Sequence, residues 1–179
     1  MTLVVERLPT DGLERFRELD RSEEATIHYR QIGSRLVSTP VKDSIANFFA
    51  EGDVHSVPEL VHTWQPVVDV GGALLGAFVN GALAGIALLG NEVAPGVLQV
   101  ALLYVSRPHR RRGVATALMD EMEQLARKAD AHGLYVSSVP TGSAVGFYLS
   151  RGFQPTDPSP ELLAKEPDDI HMLLPLAGD

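Results

Sequence analysis

Residues Gln99–Thr116 read QVALLYVSRPHRRRGVAT. The apolar run at its start predicts a strand over Val97–Val105, followed by a short basic turn and a long helix from about Arg112. At the junction stands Arg110-Arg111-Arg112-Gly113-Val114-Ala115. Three arginines at a helix start run against the helix dipole, which disfavours an exposed cation there by roughly 0.3–1 kcal/mol. A turn built this way suits an anionic ligand. Gly113 has no Cβ to hold a ligand off the backbone, and Ala115 and Thr116 keep the first turn small. The free N–H groups of that turn point along the axis and suit a phosphate or pyrophosphate. The Gly-Lys-Ser/Thr ending of a phosphate loop is absent, and a dinucleotide fingerprint needs more glycines than Gly113 alone. Taken by itself, the turn also reads as a solvated basic loop ahead of a core helix.

Working outward, Ala73–Val79 and Leu83–Leu89 flank Asn80-Gly81, the strongest short hairpin signal, and a Pro95-Gly96 turn leads into the strand at Val97. Downstream, Ala115, Leu118, Met122, Leu125 and Ala129 fall on one face of a helix over Arg112–Ala131, with Gly133 in the usual C-terminal place. Leu134–Val139 follows this crossover helix and should lie parallel to the strand before it. Ser143–Arg151 reads as a short helix ended by Gly152, Phe153 opens a strand, and a Pro-rich loop, Pro155–Pro167, leads to a last strand over Ile170–Leu176. In the N-terminal third the pattern predicts a strand over Leu3–Leu8 and a helix over Gly12–Arg21. A helix over Asp43–Ala50 and another over Val57–Trp64 follow, the latter capped by Ser56 and stopped by Pro66. Extended and helical patterns compete over the rest of Arg21–Asp53.

The chain has 179 residues, the size of one ordinary domain with a real core. Its 45% hydrophobic and 21% charged residues are those of a soluble globular protein. The absence of cysteine excludes disulfides, thiolate-bound zinc and a cysteine nucleophile. MTLVVERLPT lacks the basic and apolar regions of a signal peptide, so the expected compartment is the cytoplasm. No apolar run reaches the ~18 residues of a membrane span. A net charge of −8 argues against a nucleic-acid surface. Scarce lysine beside abundant arginine, alanine and glycine hints at a GC-rich bacterial source.

A second block, Ala144-Val145-Gly146-Phe147-Tyr148-Leu149-Ser150-Arg151-Gly152-Phe153, changes the weight of the first. Arg110-x-x-Gly113-x-Ala115 between a strand and a helix resembles the acetyl-CoA signature of the GNAT superfamily of N-acetyltransferases. The second block resembles that family's Ala-x-x-x-Tyr-x-x-x-Gly-Phe. Together they cover roughly Ala73–Leu176. The resemblance implies an α/β (α+β) fold: a mixed, mostly antiparallel central sheet of six to seven strands flanked by helices. It implies one domain over residues 1–179, with 1–70 shaping the acceptor side and 73–176 holding the acyl donor.

The resemblance also implies acetyl-CoA as acyl donor and an N-acetyltransferase activity. Backbone groups of Leu103, Tyr104 and Val105 would pair with the pantetheine arm, and one of their N–H groups could stabilise the oxyanion. Arg110 and the N–H groups of Arg111, Arg112, Gly113, Val114, Ala115 and Thr116 would hold the pyrophosphate. Tyr148, protonated at neutral pH because its ordinary pKa lies near 10 against about 8.5 for a thiol, is the candidate acid for the leaving sulfur. Thr141 stands where many members carry asparagine, and its hydroxyl replaces an amide's two donors. The implied partners are acetyl-CoA and a primary amine, a small molecule rather than a protein; a homodimer is compatible, and no metal, nucleic acid or membrane is implied. Glu24 and Tyr29, with Asp20 and Glu23 nearby, are the substrate-side candidates. The base is open: Glu92 is the nearest carboxylate by sequence, and Glu51, Asp53 and His55 sit together upstream. Non-catalytic acyl-CoA binding on the same fold is the alternative.

Overall fold

Asn80 (φ 49°) and Gly81 (φ 84°) are both left-handed, as a two-residue hairpin turn requires. They join β4 (Ala73–Val79) to β5 (Ala82–Ala94) in antiparallel register, with a bulge at Ala77/Phe78. All of β4 except the half-buried Phe78, and residues 83–90 of β5, are buried, so these parts of the two strands read as continuous apolar runs rather than as alternating ones. The computed structural model describes residues 1–48 and 56–176. Its remaining elements are β1 (Leu3–Arg7), β2 (Glu23–Ile32), β3 (Arg35–Ile45), α1 (Val57–Asp69), β6 (Val97–Val105), α2 (Val114–Lys128), β7 (Gly133–Ser138), α3 (Gly142–Ser150), β8 (Gln154–Pro155), α4 (Pro160–Lys165) and β9 (Ile170–Pro175). Seven strands hydrogen-bond in the order β1-β4-β5-β6-β7-β9-β8, and β2 and β3 form a separate two-stranded ribbon. The sheet is mixed: β6 and β7 are parallel, while β1–β4, β4–β5, β7–β9 and β8–β9 are antiparallel.

The chain divides into two units. One comprises Met1–Glu23, Ile45–Asn91 and Val100–Leu125. Its core gathers Leu13, Phe16, Phe48, Leu60, Leu74, Ile86, Leu88 and Leu102. Phe16, Phe48 and Tyr104 meet edge to face with centroids 5.4–5.6 Å apart. The other comprises Glu24–Ser44, Glu92–Gln99 and Ala126–Asp179. There Leu134, Val136, Val145, Tyr148, Phe153, Ile170 and Met172 are buried.

Several elements depart from the sequence reading. Gly12–Glu18 is a 3₁₀ segment rather than an α-helix. The ambiguous stretch is the ribbon, turned at Gly33 (φ 58°), and strand β3 runs to Ile45 where a helix from Asp43 was expected. Residues 49–55, with Glu51, Asp53 and His55, lie outside the described residues. Pro66 does not stop α1: the helix continues to Asp69, burying Val68, and Gly71 and Gly72 close it on the carbonyls of Val68 and Val67. In α2 the buried stripe is Val114, Leu118, Met119, Met122 and Ala126, rotated from the predicted face. The absent side chain of Gly85 decides this. A Cβ there would stand 2.8 Å from the Tyr104 carbonyl oxygen and 3.1 Å from both Leu118 and Val114. The first turns of α2 therefore settle onto bare backbone at that point. The helix ends at Lys128, and Asp130 (φ 57°) takes the left-handed position expected of Gly133, which opens β7. The Pro-rich loop carries the short helix α4, whose N-cap Ser159 accepts from the Leu162 amide.

Candidate active site

The basic turn follows β6 through Arg107–His109 and enters α2 at Val114. Arg111 (φ 58°) and Gly113 (φ 81°) both take left-handed backbone. For an arginine this conformation is costly, and such strain gathers at ligand clamps. Alternation of this kind turns neighbouring N–H groups to one side and builds an anion-binding concavity. A Cβ on Gly113 would meet no protein atom within 4 Å, so the space before its backbone is open to a ligand. The first N–H bonded into α2 is that of Ala117, on the Gly113 carbonyl. The amides of Val114, Ala115 and Thr116 thus have no partner from the helix repeat. Arg111 and Arg112 are exposed and make no ion pair among the described residues.

Arg110 is placed differently. Its Nε donates to the Val105 carbonyl (3.1 Å), Nη1 to the Ser22 carbonyl (3.1 Å) and Nη2 to the Arg21 carbonyl (2.9 Å). Glu23 stands 3.7 Å from Nη1. The guanidinium expected at the donor is thus engaged by protein acceptors.

On β6 the Ser106 amide donates to the Ala84 carbonyl of β5 (2.9 Å), and the Tyr104 carbonyl lies against Gly85. Strand alternation then turns the amides of Leu103 and Val105 to the opposite edge. Parallel pairing of β6 with β7 covers only Val97–Gln99 against Gly133–Tyr135, so Leu103 and Val105 lie beyond its last pair. Tyr104 instead gives its ring to the aromatic trio.

In the second unit, Tyr148 on α3 is 6% exposed and meets Phe147 and Phe153 edge to face, at 5.5 and 5.2 Å. Thr141 is buried and caps α3, its Oγ1 accepting from the Ala144 amide and lying 3.2 Å from Ser143 Oγ. The ribbon crosses this cap: His28 bridges Thr141, and the Tyr29 amide donates to the Pro140 carbonyl (2.7 Å). Glu24 accepts from the Ser44 hydroxyl (2.9 Å). Glu92 accepts from the Gly96 amide (2.9 Å) and pins the β5–β6 turn. In the first unit, hydrogen bonds from Ser22 hold the Asp20 carboxyl below its usual pKa.

A buried polar cluster in the second unit escaped the sequence reading. Its signal was polar residues interrupting apolar strands: Tyr135 and Ser137 on β7, His171 on β9. His171 Nε2 faces the Glu166 carbonyl (3.2 Å), which can only accept. Nε2 therefore carries the proton, and Nδ1 accepts from the Tyr135 hydroxyl. Burial lowers the His171 pKa, and burial followed by Glu166 raises that of Tyr135. Burial, with Glu166 next, pushes Asp169 up to about 6, against a weaker pull from the Ser137 hydroxyl, which donates to it at 3.2 Å. A raised carboxyl pKa means the folded state holds the proton more tightly than the unfolded one. Stability from Asp169 is thus full below pH ~4 and is lost as pH rises to about 6. Asp169→Asn keeps an acceptor for Ser137 and removes the charge. It is expected to be more stable than wild type at pH 8, with that advantage disappearing by pH 4, in urea melts at both values.

A mixed sheet with a short parallel pair, feeding through a left-handed basic turn into a helix N-terminus, fits an acyl-CoA-dependent acyltransferase. An acetyltransferase (GNAT) domain model matches residues 54–173, and the chain belongs to the GNAT family of acetyltransferases. No curated protein sequence matches significantly. Solved structures match over essentially the whole chain. Nourseothricin acetyltransferase does so with TM-score 0.70 and 18% identity, covering 99% of this chain and 100% of that one. A Bacillus anthracis protein assigned as a streptothricin acetyltransferase, in complex with acetyl coenzyme A, gives 0.75 and 16%, covering 99% and 100%. PaiA N-acetyltransferase from Thermoplasma acidophilum, in complex with coenzyme A, gives 0.65 and 17%, covering 98% and 100%. At these identities the likeness shows the fold. The family's donor, acetyl-CoA, fits the turn described above: open space before Gly113, helix-start amides free of the helix repeat, and two exposed arginines. Among the described residues no helix is long and apolar enough to cross a membrane.

Proposed function

We propose that the protein transfers the acetyl group of acetyl-CoA to a primary amine by direct attack in a ternary complex, the whole chain acting as one catalytic domain. The observation that carries this reading is the turn itself, with Arg111 and Gly113 left-handed ahead of the open N-terminus of α2. Acetyl-CoA supplies an acetyl group activated as a thioester. The N–H groups from Arg111 to Thr116 bind its pyrophosphate, and Arg111 and Arg112 add charge. Leu103 and Val105 pair with its pantetheine arm through their outward amides, one of which stabilises negative charge on the thioester oxygen. Tyr148 gives its hydroxyl proton to the departing sulfur, the nitrogen–carbon bond replacing the carbon–sulfur bond; the proton shed by the attacking amine passes to solvent, which returns one to Tyr148. Thr141 caps α3 and is the proposed hydroxyl contact to the donor, from the position where many family members carry asparagine. The sequence has no cysteine, which leaves no thiol to carry the acetyl group between donor and acceptor.

A small amine is the favoured acceptor class. Two of the similar structures are named for the small molecules nourseothricin and streptothricin. Glu24 and Tyr29, on the ribbon, are the proposed acceptor contacts. Calorimetry with acetyl-CoA is expected to show binding in the micromolar range. A panel of small amines, polyamines, aminoglycosides and peptide N-termini should then release free CoA with at least one member. No acetyl-CoA binding at high micromolar concentration ends the reading; binding without release across the panel turns it into non-catalytic acyl-CoA binding.

A further inference from the structure

We infer that Arg110 is a positioning residue, a clamp that sets the shape of the donor turn, and not a ligand of the donor's phosphates. The inference rests on the reading of the turn as the pyrophosphate cradle. All three guanidinium nitrogens point at protein acceptors: the carbonyls of Val105, Ser22 and Arg21. The side chain is 28% exposed, and its counter-charge, Glu23, is 20% exposed. Around it the same two segments are joined further. The Arg107 amide donates to the Asp20 carbonyl (2.7 Å), the Asp20 amide to Ser106 Oγ (3.0 Å), and Arg107 Nη1 to Ser22 Oγ (3.3 Å). Arg110 therefore ties the end of β6 to residues 21–23 at the point where the chain must turn.

This anchoring has a consequence at the cradle. Arg111 and Gly113 hold left-handed backbone immediately after the clamp, and for Arg111 that conformation is unfavourable on its own. A strained residue persists only where its surroundings over-determine it. The clamp fixes the N-terminal side of that strained pair, and α2 fixes the C-terminal side. A planar fork is needed for three carbonyls in three directions; the point charge of lysine cannot replace it. With the Val105 carbonyl held by Arg110, the Val105 amide is the donor this residue presents to a ligand on that edge.

The test separates clamp from ligand by salt. A residue whose charge meets phosphate contributes a screened attraction, so its removal flattens the dependence of Kd on ionic strength. Arg111→Ala and Arg112→Ala are expected to flatten it. Arg110→Lys, which keeps the charge, is expected to weaken acetyl-CoA binding about tenfold while leaving the slope of wild type unchanged, and Arg110→Gln to weaken it at least as much. Hydrogen exchange at the amides of Ser106, Arg107 and His109 should quicken in both Arg110 variants, with circular dichroism confirming that they fold. Wild-type affinity in Arg110→Lys, or a flattened slope in that charge-conserving variant, overturns the assignment. If wild type itself fails to bind acetyl-CoA, the pyrophosphate reading falls. Exchange at those three amides still decides the clamp: unchanged rates in Arg110→Lys overturn it, quickened rates support it.

Discussion

Gly113→Val is expected to raise the Kd for acetyl-CoA by about 100-fold or more, the largest effect of any single substitution in the turn. Two costs combine. A side chain at φ 81° is strained, which for a non-glycine residue costs roughly 1–2 kcal/mol. The position also opens on space, since no protein atom lies within 4 Å of a Cβ there, and a branched side chain would fill that opening where an anion should approach. Hydrogen bonds to charged groups are worth about 1.5–3 kcal/mol each, so two lost or lengthened N–H contacts account for the change in Kd. The fold itself should survive, because Val114 and Leu118 still seat the helix on Gly85. Calorimetry gives the affinity and a thermal melt the stability. An affinity within threefold of wild type would show that the turn does not hold the donor.

Tyr148→Phe is expected to lower turnover about 100-fold, in the range of a lost general acid, with acetyl-CoA affinity changed less than about threefold. The substitution removes one oxygen and keeps the ring that meets Phe147 and Phe153. Packing is therefore conserved, and the hydroxyl is the variable. The assay uses the acceptor returned by the amine panel. Unchanged turnover removes Tyr148 as proton donor; an affinity loss matching the turnover loss makes it a binding group instead.

Both arguments begin from motifs that could be read in one dimension, because their chemistry is local. The hairpin at Asn80-Gly81 follows from two residues that tolerate left-handed backbone, and it formed as read. The parallel pairing of β6 and β7 follows from a crossover helix between them. Elements whose identity depends on distant partners were less legible. The ribbon β2–β3 mixes polar and apolar residues, so neither period dominates over Glu23–Ile45. Its strands are held by each other and by Pro140, Thr141 and Thr156, each more than 100 residues from the β2 residue it meets. Pro66 read as a stop because a proline removes one helical hydrogen bond, yet burial of Val68 carries the helix past it.

The sequence by itself determined the family and the donor, and it carries the proposal for where the donor's phosphates lie. A strand, a left-handed glycine and a helix start are set by neighbours a few residues apart. Only the tertiary structure decided which face of α2 is buried, since that depends on the missing side chain of Gly85 on another strand. It alone brought Tyr135, Ser137, Asp169 and His171 into one cluster, from two strands and the turn that leads into the second. And it alone gave Arg110 a different task from its two neighbours. Three consecutive arginines are identical as sequence; the carbonyls of residues 21 and 22, folded back against the end of β6, are what distinguish the first.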